Sequence, residues 1–125
     1  MWVEYNPSPI GARVGDCSVR ALAKALNMSW DSAYILTATK GYEMKDMPSA
    51  NAVWGAVLRE YGFKRKSIPD RCPDCYTAAD FCKEHSQGIY VLGFGNHVAT
   101  EIDGTLFDAW DSSLESPQYY FYKED

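Results

Sequence analysis

The chain has 125 residues and a formal net charge of −5, with 46% hydrophobic and 14% aromatic residues. This length suits one domain with a core of its own, and we expect a single domain over residues 1–125. The charge argues against a general nucleic-acid binder, and no apolar run approaches the roughly 20 residues of a membrane span. With neither a basic leader nor an apolar signal core, we expect a cytoplasmic protein with no nucleic-acid or membrane partner.

Helical patterns dominate the first half of the chain. Proline and glycine punctuate the residues before 16, which predicts an irregular surface segment. Apolar residues then recur at helical spacing and predict helices over 18–26, over 30–40 after an N-cap at Ser29, and over 49–61. Later in the chain, capping-box spacing of Thr77 and Asp80 predicts a short helix over 77–85.

Strand patterns dominate the second half. Alternating apolar and basic residues predict a short exposed strand over 63–68, and three further strands are expected over 88–94, 97–102 and 105–110. The aromatic run at 118–122 predicts an edge strand rather than a platform for stacked bases, because no basic residues accompany it. Helices followed by an antiparallel sheet make an α+β fold.

The dipeptide Asp103-Gly104 is a strong signal for a two-residue hairpin loop. Such a loop puts His97, Asp108 and Trp110 on one face, with His97 and Asp108 as a diagonal pair about 7–8 Å apart at the backbone. Asp108 is therefore the predicted carboxylate partner of His97, and Trp110 is predicted to cover their hydrogen bond. The alternative is an ordinary strand-end histidine beside a solvated aspartate.

Cys17 stands at the start of the first predicted helix, directly after Asp16. Asp16 is the predicted N-cap, so Cys17 lies where unpaired backbone N–H groups and the helix dipole favour a thiolate. A cationic His97 nearby would lower the thiol pKa further, and the backbone N–H of Cys17 would face a developing oxyanion. The alternative is a small buried apolar residue at a helix start.

This order of residues resembles that of the papain-like cysteine peptidases. In that family a Cys opens the first helix, a His opens a late strand, and an Asn-x-Trp element follows, which corresponds here to Asp108-Ala109-Trp110. The resemblance implies that Cys17, His97 and Asp108 are the catalytic triad. It also implies a papain-like fold, with N-terminal helices packed on a C-terminal antiparallel sheet.

More narrowly, the runs at 15–21, 90–97 and 103–112 are similar to small uncharacterised papain-like proteins of bacteriophages and gut bacteria. The resemblance implies a thiol-dependent hydrolase that needs no cofactor and acts on an amide bond in a peptide or protein substrate. Transglutaminase-like acyl transferases use the same three residue types in the same order. A non-catalytic binding domain, such as a phage-borne or virion-associated factor, is the alternative from another class.

The chain departs from the papain-like pattern at the oxyanion hole. Those peptidases usually place a Gln six residues before the Cys, and that position here is Gly11. The nearest upstream amide is Asn6, which we assign as the substitute donor. Its alternative role is that of a turn residue before Pro7.

A second group of candidates has the pattern C-x2-C-x6-C-x2-H, formed by Cys72, Cys75, Cys82 and His85. Four such ligands could close a tetrahedral zinc site, but the six-residue gap is short for a zinc ribbon. Cys82 also fits the apolar face of its helix, and no βαβ context precedes the pair to support a redox motif. Three cysteines so close together make a poor disulfide framework, so we expect four thiols and no metal.

Overall fold

The computed structural model of the protein describes residues 1–123, which contain four helices and six strands. The helices are α1 (Cys17–Ala25), α2 (Trp30–Met44), α3 (Asn51–Glu60) and α4 (Ala78–Glu84). The strands are β1 (Trp2–Glu4), β2 (Phe63–Ser67), β3 (Ile89–Gly93), β4 (Val98–Ile102), β5 (Thr105–Asp108) and β6 (Tyr119–Lys123). No helix in this described range is long and apolar enough to cross a bilayer.

The strands form one mixed sheet in the order β1-β5-β4-β3-β6-β2. Strand β1 pairs in parallel with β5, and the other neighbours are antiparallel. The α+β class is confirmed, but the predictions of a purely antiparallel sheet and of a wholly irregular segment before residue 16 are wrong. With three residues, β1 is too short to show a periodic pattern, and it depends on pairing with a distant strand.

Strand β6 lies inside the sheet, between β3 and β2, so the prediction of an edge strand is wrong. Its aromatic side chains pack within the protein, and Phe121 is only 3% exposed. Strand β2 forms the edge instead and exposes a run of basic residues. Positive side chains on an edge strand discourage pairing with another chain.

The two faces of the sheet are covered by different helices. Helices α1, α2 and α3 pack on one face, and α4 packs on the other. The buried Thr100 Oγ1 of β4 donates a hydrogen bond to the carbonyl oxygen of Ala21 in α1, at 2.7 Å. This bond fixes α1 against β4, and the N-terminus of α1 lies beside the start of that strand.

The predicted helices all form, with one large difference in length. Helix α2 continues through Gly41 to Met44, because Gly41 is buried and its missing side chain admits a neighbouring loop. A Cβ at Gly41 would meet the carbonyl oxygen of Asp46 at 2.8 Å. The left-handed residue that ends the helix is Lys45, with φ of 59°.

The hairpin between β4 and β5 forms as predicted. Asp103 and Gly104 both have positive φ, 50° and 83°, as a two-residue hairpin turn requires. The register pairs Ile102 with Thr105 and Thr100 with Phe107. This register carries the end of β5 to the start of β4, where the candidate site lies.

Candidate active site

Asp16 occupies the N-cap position of α1, but its side chain makes no capping hydrogen bond. Its carboxylate instead pairs with Arg20 one turn along the helix and accepts a hydrogen bond from Trp30 Nε1 at 2.9 Å. The predicted N-cap position of Asp16 is confirmed, but a buried cation and an indole N–H bind its carboxylate in place of the backbone N–H groups of the helix. The N–H of Cys17 has no hydrogen-bond acceptor within residues 1–123, and it is free to bind an oxyanion.

The half-buried thiol of Cys17 is hydrogen-bonded to the His97 ring and to the backbone of Val98. Burial raises the pKa of this thiol. The two hydrogen bonds and the positive charges of His97 and Arg20 outweigh that effect, so the pKa lies below its ordinary value. Cys17 is thus the more acidic of the two free cysteines in the described chain.

His97 lies just before β4 and joins the thiol to Asp108 at the end of β5. Its Nε2 lies 2.6 Å from Asp108 Oδ2, which leaves Nδ1 for the sulfur. Burial lowers the pKa of His97, but hydrogen bonds to Asp108 and Cys17 and the negative charges of both raise it to about 9. The charged forms of the two groups, a histidine cation and a thiolate, therefore stabilise each other.

Two aromatic rings hold the imidazole in place. Trp110 stacks on His97 with ring centroids 4.4 Å apart and planes 27° apart. Phe94 lies roughly parallel to the same ring at 5.8 Å. Trp110 therefore covers one face of the imidazole, and His97 is only 7% exposed.

The carboxylate of Asp108 contacts two further side chains, Ser112 and Arg20, that were not predicted from the sequence. Ser112 Oγ donates to Asp108 Oδ2 at 2.6 Å, and the N–H of Ala109 donates to Oδ1 at 2.7 Å. The buried guanidinium of Arg20 lies 3.7 Å from Oδ1 and also pairs with Asp16. Spacing offered a signal for both missed residues, since Arg20 follows Asp16 by four residues and Ser112 follows Asp108 by four.

A cavity of about 290 Å³ opens beside Cys17 and His97. The start of α1, the start of α3 and the loop between β3 and β4 form its walls, together with Tyr119 from β6. Gly15 lines it with φ of 88°, a conformation that suits glycine and turns the chain into α1. The candidate nucleophile is therefore accessible to a ligand of peptide size.

Asn6 does not line this cavity. Its Nδ2 donates to the Ala12 carbonyl oxygen at 2.9 Å, and its Oδ1 accepts from the N–H of Ser8 at 3.2 Å. Asn6 thus holds a surface loop together, which is the turn role given above as its alternative. Two other amide side chains, Asn51 and Asn96, line the cavity, and sequence spacing offered no signal for either.

The four residues of the zinc pattern do not come together. Cys72 and Cys75 form a disulfide, so the expectation of four thiols is wrong for this pair. Cys82 is a buried residue of α4, and His85 stacks on Phe81 with ring centroids 3.8 Å apart. Within residues 1–123 no group of three or more His, Cys, Asp or Glu side chains is arranged to hold a metal ion.

Comparison with known proteins finds no matching family model, no matching curated protein and no matching solved structure. The papain-like resemblance therefore stays a prediction from the sequence motifs. The function has to be argued from the geometry of the site.

Proposed function

We propose that this protein is a cysteine-dependent hydrolase that cleaves an amide bond in a peptide or protein. One observation carries the proposal: Cys17 contacts His97, and His97 contacts Asp108, at the wall of an open cavity. A nucleophile, a base and an orienting acid in contact are the parts that thiol-dependent acyl chemistry needs.

In the first half of the reaction, the Cys17 thiolate attacks the carbonyl carbon of the substrate. The negative charge that develops on the carbonyl oxygen is stabilised by the N–H of Cys17 at the positive end of α1. Protonated His97 gives its proton to the departing amine, and the C–N bond breaks. The products of this half are a free amine and an acyl group bound to sulfur.

In the second half, neutral His97 removes a proton from water, and the resulting hydroxide attacks the thioester. The C–S bond breaks, which releases the carboxylic acid and restores the thiolate. Asp108 stabilises the histidine cation in both halves and keeps the ring oriented through its 2.6 Å hydrogen bond. Trp110 keeps water away from that bond.

We further propose that the fold is papain-like and that the protein acts in the cytoplasm. The helix that carries the cysteine packs against the hairpin that carries the histidine and acid, which supports this assignment. A phage or gut-bacterial origin is proposed on the sequence motifs alone. An acyl transferase would share the first half-reaction and use an amine in place of water, whereas a binding domain would need no reactive thiol.

The first test is alkylation by iodoacetamide, with the site of labelling read by mass spectrometry across pH 5–9. The ordinary pKa of a free thiol is about 8.5, and we expect Cys17 in the wild type to react well below that pH. At pH 6.5 the His97→Ala variant should react up to about a hundredfold more slowly, since an unassisted thiol is only about 1% ionised there.

The chain provides matched controls for this test. His85→Ala removes the other histidine and should leave the labelling of Cys17 unchanged. Cys82 serves as an internal reference, because burial and the charge of Glu101 raise its thiol pKa to about 11. If Cys17 is labelled slowly in both the wild type and His97→Ala, with the pH dependence of an ordinary thiol, the proposal of an enzyme is rejected and a binding domain is favoured. Product analysis with an added amine then separates hydrolysis from acyl transfer.

A further inference from the structure

A second cavity of about 190 Å³ adjoins the one at Cys17. The two share Asn51, Trp54 and Tyr119 as walls, and we refer to these adjoining cavities together as the groove, which has the thiol at one end. The far end of the groove is bounded by Arg59 of α3 and Arg65 of β2. A substrate bound at the sulfur can therefore extend along β6 towards two cations.

Tyr119 connects the two ends of the groove. Its ring lies directly over Gly93, where a Cβ would come within 2.0 Å of the ring, and it stacks with Trp54 at 6.4 Å. Burial raises the pKa of Tyr119, while the charges of Arg65 and Cys17 act on it in opposite directions. The phenol thus lies within electrostatic range of both Arg65 and Cys17.

The two arginines are held by aromatic rings and, as far as residues 1–123 go, have no anion of their own. Arg65 lies 4.3 Å from the ring centre of Tyr119, and Arg59 lies 5.6 Å from that of Phe121. Within the described residues neither guanidinium forms an ion pair. The acid next to Arg59 in the chain is Glu60, and it already pairs with Lys40 at 2.9 Å.

The charge of this groove differs from that of the whole chain. Among the residues that the structure describes, no Asp or Glu side chain lines either cavity, although the protein carries a net charge of −5. Two exposed guanidiniums beside aromatic walls match a planar carboxylate, which arginine binds through paired N–H groups. The positive charge at this end of the groove favours an anion, whereas the net charge of the whole protein is negative.

We propose that Arg59 and Arg65 form a subsite that binds a carboxylate of the peptide substrate, so that the enzyme selects an acidic group near the bond it cleaves. This inference rests on the proposed function for the identity of the substrate. The carboxylate has two sources, an Asp or Glu side chain or the C-terminus of the peptide.

The test measures binding without chemistry, in a Cys17→Ala variant, by fluorescence anisotropy. The probes are labelled Gly/Ala octapeptides with amidated C-termini, in which one Glu is moved through every position, and matching Gln peptides. At one or two adjacent positions we expect the Glu peptide to bind about tenfold more tightly, as one charge-assisted contact allows. If a Gln peptide with a free C-terminal carboxylate binds about tenfold more tightly than its amidated counterpart, the subsite binds the C-terminus of the peptide instead.

The preference should disappear in Arg59→Gln/Arg65→Gln, which replaces two exposed side chains. The control is Arg71→Gln, another exposed arginine over a tyrosine ring, at 4.7 Å from Tyr76 and outside the groove. Rising salt should weaken the preference. Equal binding of all peptides, no binding, or a preference that survives the double substitution would each overturn the subsite.

The same measurements separate this inference from the proposed function. Charge-dependent binding with no cleavage by the wild-type protein would reject the hydrolase and keep the carboxylate subsite. Cleavage with no preference for acidic peptides would reject the subsite and keep the hydrolase.

Discussion

Cys17 and Cys82 belong to the cores on opposite faces of one sheet, and each has a buried acid nearby. Asp108, on the Cys17 side, is bound by the His97 ring, the Ser112 hydroxyl and a backbone N–H. Glu101, on the Cys82 side, accepts one hydrogen bond from the N–H of Gly104 at 3.1 Å, and its Oε2 has no partner in the described residues.

The thiols differ accordingly. Cys17 has a lowered pKa, whereas burial and the charge of Glu101 raise the pKa of Cys82 to about 11. Burial alone raises the pKa of both thiols, so burial does not make a cysteine reactive. The decisive difference lies in the partners of the Cys17 sulfur, which are the hydrogen bonds to His97 and to the Val98 backbone, followed by the positive charges of His97 and Arg20.

The largest expected effect comes from removing the buried cation beside Asp108. Arg20→Met leaves two carboxylates, Asp16 and Asp108, without their guanidinium. We expect the free energy of unfolding to fall by about 3–5 kcal/mol, since breaking a buried charge network strands the remaining charges. Urea denaturation measures the loss, and Arg71→Met, at an exposed arginine, should stay within about 0.5 kcal/mol of wild type. If the free energy of unfolding falls equally little in Arg20→Met and Arg71→Met, the buried cation does not distinguish the Cys17 side of the sheet from the Cys82 side.

An intermediate effect is expected at Glu101, a buried acid that forms no ion pair within residues 1–123. Burial raises the pKa of Glu101 from 4.5 to about 8 despite the hydrogen bond from Gly104, so the folded protein holds a proton that the unfolded chain releases. Its contribution to stability is complete below pH 4.5 and declines until about pH 8. Between these limits Glu101→Gln should become more stable relative to wild type by roughly 1–3 kcal/mol.

Urea denaturation at several pH values between 4.5 and 8 measures this divergence. The exposed Glu4→Gln variant is the control and should follow the wild-type curve. Parallel curves for Glu101→Gln and wild type would mean that this carboxyl is ionised in the folded protein.

The smallest effect is expected at Ser112, whose buried hydroxyl donates to Asp108 at 2.6 Å. Ser112→Ala removes one of several donors to that carboxylate, so we expect a loss of about 1–2 kcal/mol and a modest slowing of Cys17 alkylation. Thermal and urea unfolding measure the first, and the labelling assay measures the second. The exposed Ser116→Ala is the control. A loss as large as that of Arg20→Met would show that the hydroxyl, rather than the cation, holds Asp108 in place.

Much of the fold could be predicted because its signals are local. The capping box of Thr77 and Asp80 is present, and Ser29 caps α2. The errors fall where a distant contact decides the outcome: β1 exists because it pairs with β5, and β6 is internal because β2 pairs along its other edge.

In the candidate site, too, the contacts set by local sequence could be predicted and those set by distant residues could not. The link between His97 and Asp108 could be predicted from one dipeptide, because a two-residue turn sets the register and the register sets which side chains share a face. Asp16 was a reasonable cap on local grounds, yet Arg20 and Trp30 take its carboxylate. Asn6 likewise forms its hydrogen bonds within its own loop and does not line the cavity.

The amino-acid sequence by itself determined the helices, the hairpin and the pairing of a histidine with an aspartate, because each depends on neighbours within about one turn or one tight loop. Only the tertiary structure decided that Cys17 meets His97, that Arg20 is buried between two acids, and that two arginines end the groove. Those outcomes depend on packing α1 and α3 against the sheet, where desolvation and charge act between residues far apart in the chain.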